Sequence, residues 1–193
     1  GLQDLENRSV CIIGDPEQRY TEDPVRMLRV VRFAAKLDFS IEERTAAAIP
    51  RCAHLLGEIP AARLFDEFLK LFLAGYAAST LNKLLQYDLL RYLFPDTTNC
   101  TRGDKSALAL IQAAMENTDE RIAQDKPVTP AFILAALLWP VVNVRRARLD
   151  QLHQRIVQQR RRLHRVVSGF RAQHACGEAA HLGVQARKYA VAR

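Results

Sequence analysis

The stretch of sequence that decides the fold is residues 14–37, GDPEQRYTEDPVRMLRVVRFAAKL. A turn-forming Gly-Asp-Pro comes first, and we predict a helix over 22–37 with Asp23 as its N-cap and Pro24 at its first position. Proline costs nothing at that position because its missing N–H would have no partner in the first turn. Leucine, valine and alanine recur after it near helical spacing, so we expect one face of this helix to be buried.

Outward from this stretch, nearly every ordered segment has a helical pattern. Ser40 and Glu43 form a capping-box pair that predicts a second helix toward Cys52. Four further helices are predicted over 61–74, 79–94, 105–123 and 130–142. A polar loop is expected over 96–104, after Pro95 ends the preceding helix. Since no run alternates between apolar and polar side chains, the sequence predicts an all-α protein, an irregular helical array with little or no sheet.

The charge of the chain is unevenly distributed along its 193 residues, although the net charge is +7. Residues 1–143 contain 16 basic and 19 acidic side chains, a net charge of −3. Residues 144–193 contain 12 basic and 2 acidic side chains, a net charge of +10. The sequence therefore predicts a nearly neutral body followed by a strongly basic tail.

The cysteine spacing, the longest apolar run and the N-terminal residues indicate a cellular location for the protein. The four cysteines form no Cys-x-x-Cys pair, which argues against a zinc site and against a secreted disulfide framework. The longest apolar run, 131–142, contains Pro140 and is shorter than a membrane span. We therefore expect a cytoplasmic protein with no membrane partner. Because the chain begins Gly1-Leu2 without Met or a secretory signal, we also expect it to be cut from something longer.

The start of the first predicted helix carries a polar pattern that could bind a base. Asp23, Arg26 and Arg29 follow at spacings of three, which places them on neighbouring points of one face. A carboxylate only accepts hydrogen bonds, and a guanidinium only donates them from a planar fork, so together they could read the edge of a nucleobase. Spacing alone favours the plainer alternative, an exposed helix with an aspartate cap and surface arginines.

The longer string around this pattern resembles a known family. Residues 13–37 are similar to the neck motif of class II nucleotidyltransferases, which comprise CCA-adding enzymes and bacterial poly(A) polymerases. Residues 59–67, IPAARLFDE, and 93–95, LFP, also resemble that family. Residues 130–139, PAFILAALLW, resemble its poly(A) polymerase branch. The resemblance extends from Gly1 to about Val142.

The resemblance implies that a Glu-Asp-x-x-Arg motif selects the incoming nucleotide. Asp23 and Arg26 would hydrogen-bond the base edge of ATP, with Arg29 nearby. Glu22 and Arg19 would support the pocket. Glu67 could pair with Arg63, and Asp66 with Lys70, since each pair is four residues apart on one predicted helix. Surface or neck ion pairs are favoured over a catalytic role for these residues.

The resemblance also indicates what this chain lacks. Family members hold two metal ions with an Asp-x-Asp pair beside a Gly-Ser turn in a separate head, and neither pattern occurs here. We therefore expect no catalytic or metal-binding residue in this chain, and magnesium only in the head. Without the head the chain is predicted not to polymerise. Cys11 stands where the family usually has arginine, so a guanidinium contact there is lost.

These observations divide the chain into a neck with the base-recognition motif (1–60), a helical body (61–143) and a basic tail (144–193). The tail is open to three interpretations. Arg160, Arg161 and Arg162 could belong to an arm that binds RNA phosphates. The tail could instead be a solvated charged helix over 149–167. It could also be disordered or translated in a shifted frame, because acids and family resemblance both end near Asn143.

The resemblance implies part of an enzyme that adds AMP from ATP to RNA 3′ ends, with this chain supplying base selection and RNA binding. ATP and the RNA 3′ end are the expected partners, and the sequence indicates no oligomeric state. One alternative is a fragment of a CCA-adding enzyme, which uses CTP as well as ATP. The other is a helical RNA-binding module without catalysis.

Overall fold

The computed structural model describes the backbone of residues 1–190 and the side chains of residues 1–162, and their regular structure is almost all helical. The α-helices in chain order are α1 Leu2–Glu6, α2 Pro16–Glu22, α3 Val25–Leu37, α4 Glu43–Cys52, α5 Ala61–Phe72, α6 Ala77–Gln86, α7 Leu90–Leu93, α8 Pro95–Thr101, α9 Lys105–Ala123 and α10 Pro130–Ala190. A 3-10 helix, Ala53–Glu58, follows α4. Two short parallel strands, β1 Ser9–Val10 and β2 Ser40–Ile41, pair with Ser9 opposite Ser40. The all-α prediction is therefore confirmed.

The helix predicted over 22–37 is in fact two helices, α2 and α3. Asp15 caps α2 by accepting a hydrogen bond from the Gln18 N–H at 2.9 Å, and Pro16 is the first residue of that helix. Asp23 was predicted as the N-cap of a helix with Pro24 as its first residue, but Pro24 is the N-cap of α3 and Asp23 is the C-cap of α2; the Asp23 side chain still accepts a hydrogen bond from the Val25 N–H at 3.3 Å. Sequence reasoning missed α2 because seven residues are too few to show a helical period.

The cap of α4 lies two residues after its predicted position. Ser40 belongs to β2, where its N–H donates to the Arg8 carbonyl at 3.0 Å. Glu42 caps the helix instead, and its carboxylate accepts a hydrogen bond from the Thr45 N–H at 2.7 Å. The capping-box prediction was wrong because strand pairing takes the backbone of Ser40 out of the helix.

The predicted helix over 79–94 and the predicted loop over 96–104 also differ from the structure. Asp88 has a left-handed backbone, φ 54°, and separates α6 from α7. Pro95 begins α8 rather than ending a helix, because proline fits the first helical position. The Thr98 and Thr101 hydroxyls donate to backbone carbonyls within this segment, so most of the expected loop is helical.

The helix predicted over 130–142 begins at Pro130 but continues to Ala190. Pro140 removes one backbone donor and does not end it. Because the helix continues past residue 142, its part Pro130–Arg162 is long and apolar enough to cross a membrane by length and composition alone. The apolar run 131–142, considered by itself, is too short for that. Core helices of soluble proteins pass the same test, and Ile133 and Leu137 are fully buried.

The chain divides into a first unit, Gly1–Val144, and a second unit from Arg145 onward. The predicted division of the first unit at residue 60 and the interpretations of the tail stay predictions. In the first unit, α3 packs against α5 and α6, and α6 packs against α9. Leu28, Leu81 and Met115 are fully buried in this core. One face of α3 is thereby covered, and its arginines are left at the surface.

Candidate nucleotide-binding groove

A groove of about 360 Å³ lies in the first unit, beside β1, α2 and α3. The residues that line it are Val10, Cys11, Ile12, Ile13, Arg19, Arg26, Arg29, Val30 and Phe33. Most of this lining is apolar, and its charged groups are three guanidinium groups. Such a surface fits a nucleotide, because a flat base packs on apolar side chains and arginine donates hydrogen bonds to base edges and phosphates.

Glu22 holds two of the three groove arginines. Its Oε2 atom accepts hydrogen bonds from Arg19 Nη1 at 2.9 Å and from Arg26 Nη1 at 3.2 Å. Since Glu22 is the last residue of α2 and Arg26 lies in the first turn of α3, this carboxylate bridges the two helices. The arginine heads are thereby restrained in the groove without being buried.

Glu67 holds the third groove arginine from the neighbouring helix α5. Its Oε1 atom accepts hydrogen bonds from Arg29 Nη2 at 3.4 Å and from Lys70 Nζ at 2.9 Å. The side chain is nearly fully buried, and its Oε2 atom is without a hydrogen-bond partner in the part of the chain that the structure describes. A buried carboxylate is costly unless it is paired, so these two cations stabilise it.

Asp23 is held by Arg63 of α5. Arg63 Nη2 donates to Asp23 Oδ1 at 2.9 Å, the same oxygen that accepts from the Val25 N–H. Asp23 is not among the residues that line the groove, so the structure brings Arg19, Arg26 and Arg29 together and sets Asp23 apart from them.

The two pairings expected within α5 are therefore wrong. Arg63 pairs with Asp23 of the neck, and Lys70 pairs with Glu67, which also binds Arg29 of the neck. Sequence reasoning missed Arg63 and Glu67 as part of the site. The order of charges was an available signal. Asp23 and Arg29 follow as negative then positive, and Arg63 and Glu67 follow as positive then negative, so the two segments can form the pairs Asp23–Arg63 and Arg29–Glu67.

The tail arginines lie in the second unit, which begins at Arg145. Arg160, Arg161 and Arg162 are exposed on α10. Arg162 and Arg155 line a shallow polar pocket with Gln158 and Gln159. An exposed helical run of arginines can attract phosphates, and the RNA-binding assignment of these three residues stays a prediction.

A metal site in the described part of the chain would need His, Cys, Asp or Glu side chains of residues 1–162 close together. Within that range no three His, Cys, Asp or Glu side chains come together in a way that could hold a metal ion. These residues therefore do not fit a magnesium site. The chemistry that the groove can supply rests on its guanidinium groups and its apolar surface.

Comparison with known proteins places this region in a family. Residues 38–101 match the family model described as the probable RNA and SrmB-binding site of polymerase A. The chain is 50% identical over 141 residues to poly(A) polymerase I of Escherichia coli O157:H7. It is 45% identical over 141 residues to poly(A) polymerase I of Haemophilus influenzae. These matches cover 72% of this chain but only 30% and 31% of the two relatives.

More distant relatives and solved structures agree with this placement. The CCA-adding enzyme of Geobacillus sp. is 40% identical over 93 residues, which are 48% of this chain and 23% of that enzyme. A solved structure of a tRNA-processing enzyme in its apo form I superposes with a TM-score of 0.57 at 23% identity, covering 72% of this chain and 37% of that one. At this identity the structural likeness supports the fold alone. By the sequence matches, the chain belongs to the nucleotidyltransferase family that contains the bacterial poly(A) polymerases and the CCA-adding enzymes.

Proposed function

We propose that this chain is the neck and body of a cytoplasmic poly(A) polymerase, an enzyme that adds AMP from ATP to RNA 3′ ends. The observation that carries the proposal is the groove with three converging arginines, inside a region 50% identical to poly(A) polymerase I. In this proposal the chain selects the base and contacts RNA. Magnesium is held by carboxylates outside this chain.

Base selection is assigned to Arg26, which lines the groove, and to Asp23, which lies three residues earlier at the junction of α2 and α3 but does not line the groove. Adenine presents an amino donor beside a ring-nitrogen acceptor, which complement a carboxylate acceptor and a guanidinium donor. The two hydrogen bonds that described residues donate to the Asp23 carboxylate both go to Oδ1, and in this proposal Oδ2 accepts from the amino group. Arg26 and Arg29 would donate to the ring and to neighbouring oxygens, with Arg19 and Glu22 restraining them.

RNA contact is assigned to the body as well as to the groove. The family model over 38–101 is described as a probable RNA and SrmB-binding site, and we propose RNA binding for the same residues of this chain. Arg160, Arg161 and Arg162 would add non-specific attraction for phosphate.

CCA addition is the second candidate, because CCA-adding enzymes are also related to this chain at 40% identity over 93 residues. Cytosine presents an amino donor beside a ring acceptor in the same order as adenine does. A carboxylate and a guanidinium could therefore also read CTP.

The test is a chimera in which residues 1–142 replace the matching region of E. coli poly(A) polymerase I. We expect the chimera to extend an oligoadenylate primer with ATP, and Arg26→Ala to lower kcat/KM for ATP by about tenfold to a hundredfold. Arg51→Ala is the matched control, since Arg51 also pairs with a carboxylate of α2, Glu17, but does not line the groove. Incorporation of CTP that completes a CCA end would reject the poly(A) assignment in favour of the second candidate.

A further inference from the structure

The exposed face of α3 carries cations and an aromatic ring but no acid. Residues 24–37 include Arg26, Arg29, Arg32 and Lys36, and they contain no Asp or Glu. Phe33 lies among them, is 44% exposed, and lines the same groove as Arg26 and Arg29. Cations alternating with an exposed aromatic ring are typical of surfaces that bind single-stranded nucleic acid.

Arg32 and Phe33 form a cation–π pair on this face. The guanidinium carbon of Arg32 lies 4.8 Å from the centroid of the Phe33 ring. The Nε atom of Arg32 is buried and has no hydrogen-bond partner among the described residues, and the guanidinium contacts the Phe33 ring. Such a pair presents a flat apolar surface beside a positive charge, which complements a base and its phosphate.

A second phenylalanine of equal exposure shows what is particular to Phe33. Phe65 of α5 is 45% exposed, but its ring stacks on Phe68 at 5.9 Å between centroids, and it is followed by Asp66. It does not line the groove. Phe33 thus differs from Phe65 in its cationic surroundings and in its place beside the candidate nucleotide-binding residues.

We propose that Phe33 is a stacking platform for an unpaired base near the 3′ end of RNA, with Arg32 and Lys36 contacting the adjoining phosphates. The charge of the face favours RNA over a protein partner. Arg26 and Arg29 are each paired with a glutamate carboxylate, so the attraction for a polyanion rests mainly on Arg32 and Lys36, which belong to a segment without an acid. This inference deepens the proposed function and rests on it, because the ring shares a groove with the residues assigned to the base of ATP.

The experiment measures binding of a short labelled oligoadenylate to the full 193-residue chain by fluorescence anisotropy. Phe33→Leu keeps an apolar side chain but removes the aromatic face, and we expect affinity to fall by about tenfold. Phe33→Trp keeps an aromatic face and should restore the affinity. Phe65→Leu is the matched control and should leave it unchanged. The basic tail is present in every variant, so it does not contribute to these differences.

Two further readouts separate stacking from a general loss of structure. The slope of log K against log salt should be the same for Phe33→Leu and the parent chain, because stacking releases no counterions. In Phe33→Trp, oligoadenylate should quench the emission of the added indole. Equal affinities of Phe33→Leu and the parent chain, or equal losses in Phe33→Leu and Phe65→Leu, would overturn the proposal and leave the ring as a docking surface for protein.

Failure of the proposed function gives a different result. If the proposed function is wrong, Arg26→Ala and Arg51→Ala should have equal kcat/KM for ATP in the chimera. That measurement does not involve the Phe33 variants. A Phe33-dependent affinity for oligoadenylate in that case would support RNA stacking in a protein that does not select ATP.

Discussion

Arginine is abundant in two regions of the molecule, residues 16–37 and residues 145–162, but its surroundings differ between them. In the first region, Arg19 and Arg26 share the carboxylate of Glu22, and Arg29 reaches the buried Glu67. Each of these heads is restrained by a defined partner. The arginines of the first region are therefore parts of a folded surface.

In the second region the arginines lie along one exposed helix. Arg146 approaches Asp150 at 4.0 Å, and both side chains are largely in solvent. Arg160, Arg161 and Arg162 are exposed as well. Arginine content alone therefore does not indicate one function. Reading a base requires donors in fixed positions, whereas attraction of phosphate depends mainly on the number of charges.

The largest expected effect tests whether packing distinguishes the two regions. Leu28→Ala removes a fully buried side chain from α3 and should lower the free energy of unfolding by about 2–5 kcal/mol. Leu152→Ala makes the same change on an exposed part of α10 and should cost less than about 0.5 kcal/mol. Urea unfolding followed by circular dichroism measures both. Similar losses in the two variants would show that the second region is also packed against a partner.

The second prediction concerns the charges of the second region. Replacing Arg160, Arg161 and Arg162 together by Gln should reduce the slope of log K against log salt for single-stranded RNA by about 2. The reason is that each phosphate contact releases counterions. Arg26→Gln, which changes one cation held by Glu22, should reduce the slope by less than about 1. An unchanged slope in the triple variant would remove the tail from the RNA-binding surface.

The sequence predicted the helical class and a helix through residues 25–37, because periodic apolar residues act locally. It could not predict that Ser40 enters a strand, because the partner strand lies some thirty residues earlier in the chain. The pairs Asp23–Arg63 and Arg29–Glu67 were missed for the same reason, since each joins residues about forty positions apart.

The groove was predictable in part. Arg19, Arg26 and Arg29 were all named from the neck motif, and the structure places them together. The apolar wall that completes the groove comes from β1 and the residues after it, which carry no pattern of their own in the sequence. The tail was recognised by its charge alone, and sequencing the coding DNA across Asn143 tests the shifted-frame interpretation.

The third prediction compares a carboxylate in the first region with the exposed Asp150. Burial alone would raise the pKa of Glu42, but hydrogen bonds from the backbone N–H groups of Thr45 and Arg44 outweigh it and hold that pKa below its usual value. Glu42→Ala should therefore cost about 1 kcal/mol at neutral pH through loss of the α4 cap.

The pH dependence of that loss has a definite sign. A depressed carboxyl pKa stabilises the folded state above the pKa of the unfolded chain, and this stabilisation is lost as pH falls through the lower folded value. The stability difference between Glu42→Ala and the parent chain should thus shrink in acid. Asp150→Ala is the control and should show little difference at either pH. A Glu42→Ala effect that stays constant into acid would mean that the carboxylate charge is not involved.

The smallest effect expected is the coupling between Asp23 and Arg63, which joins the neck to α5. Their 2.9 Å contact involves a mostly buried Asp23 but a half-exposed Arg63, so solvent screens it and a double-mutant cycle should give about 0.5–1 kcal/mol. The exposed pair Asp88–Arg91, at 3.0 Å, is the control and should give less. If the first pair positions a base-reading carboxylate, Arg63→Ala should also raise KM for ATP in the chimera, whereas Arg91→Ala should not. Equal coupling in both pairs, with no change in KM, would make Asp23–Arg63 an ordinary surface ion pair and weaken the distinction between held and solvated arginines.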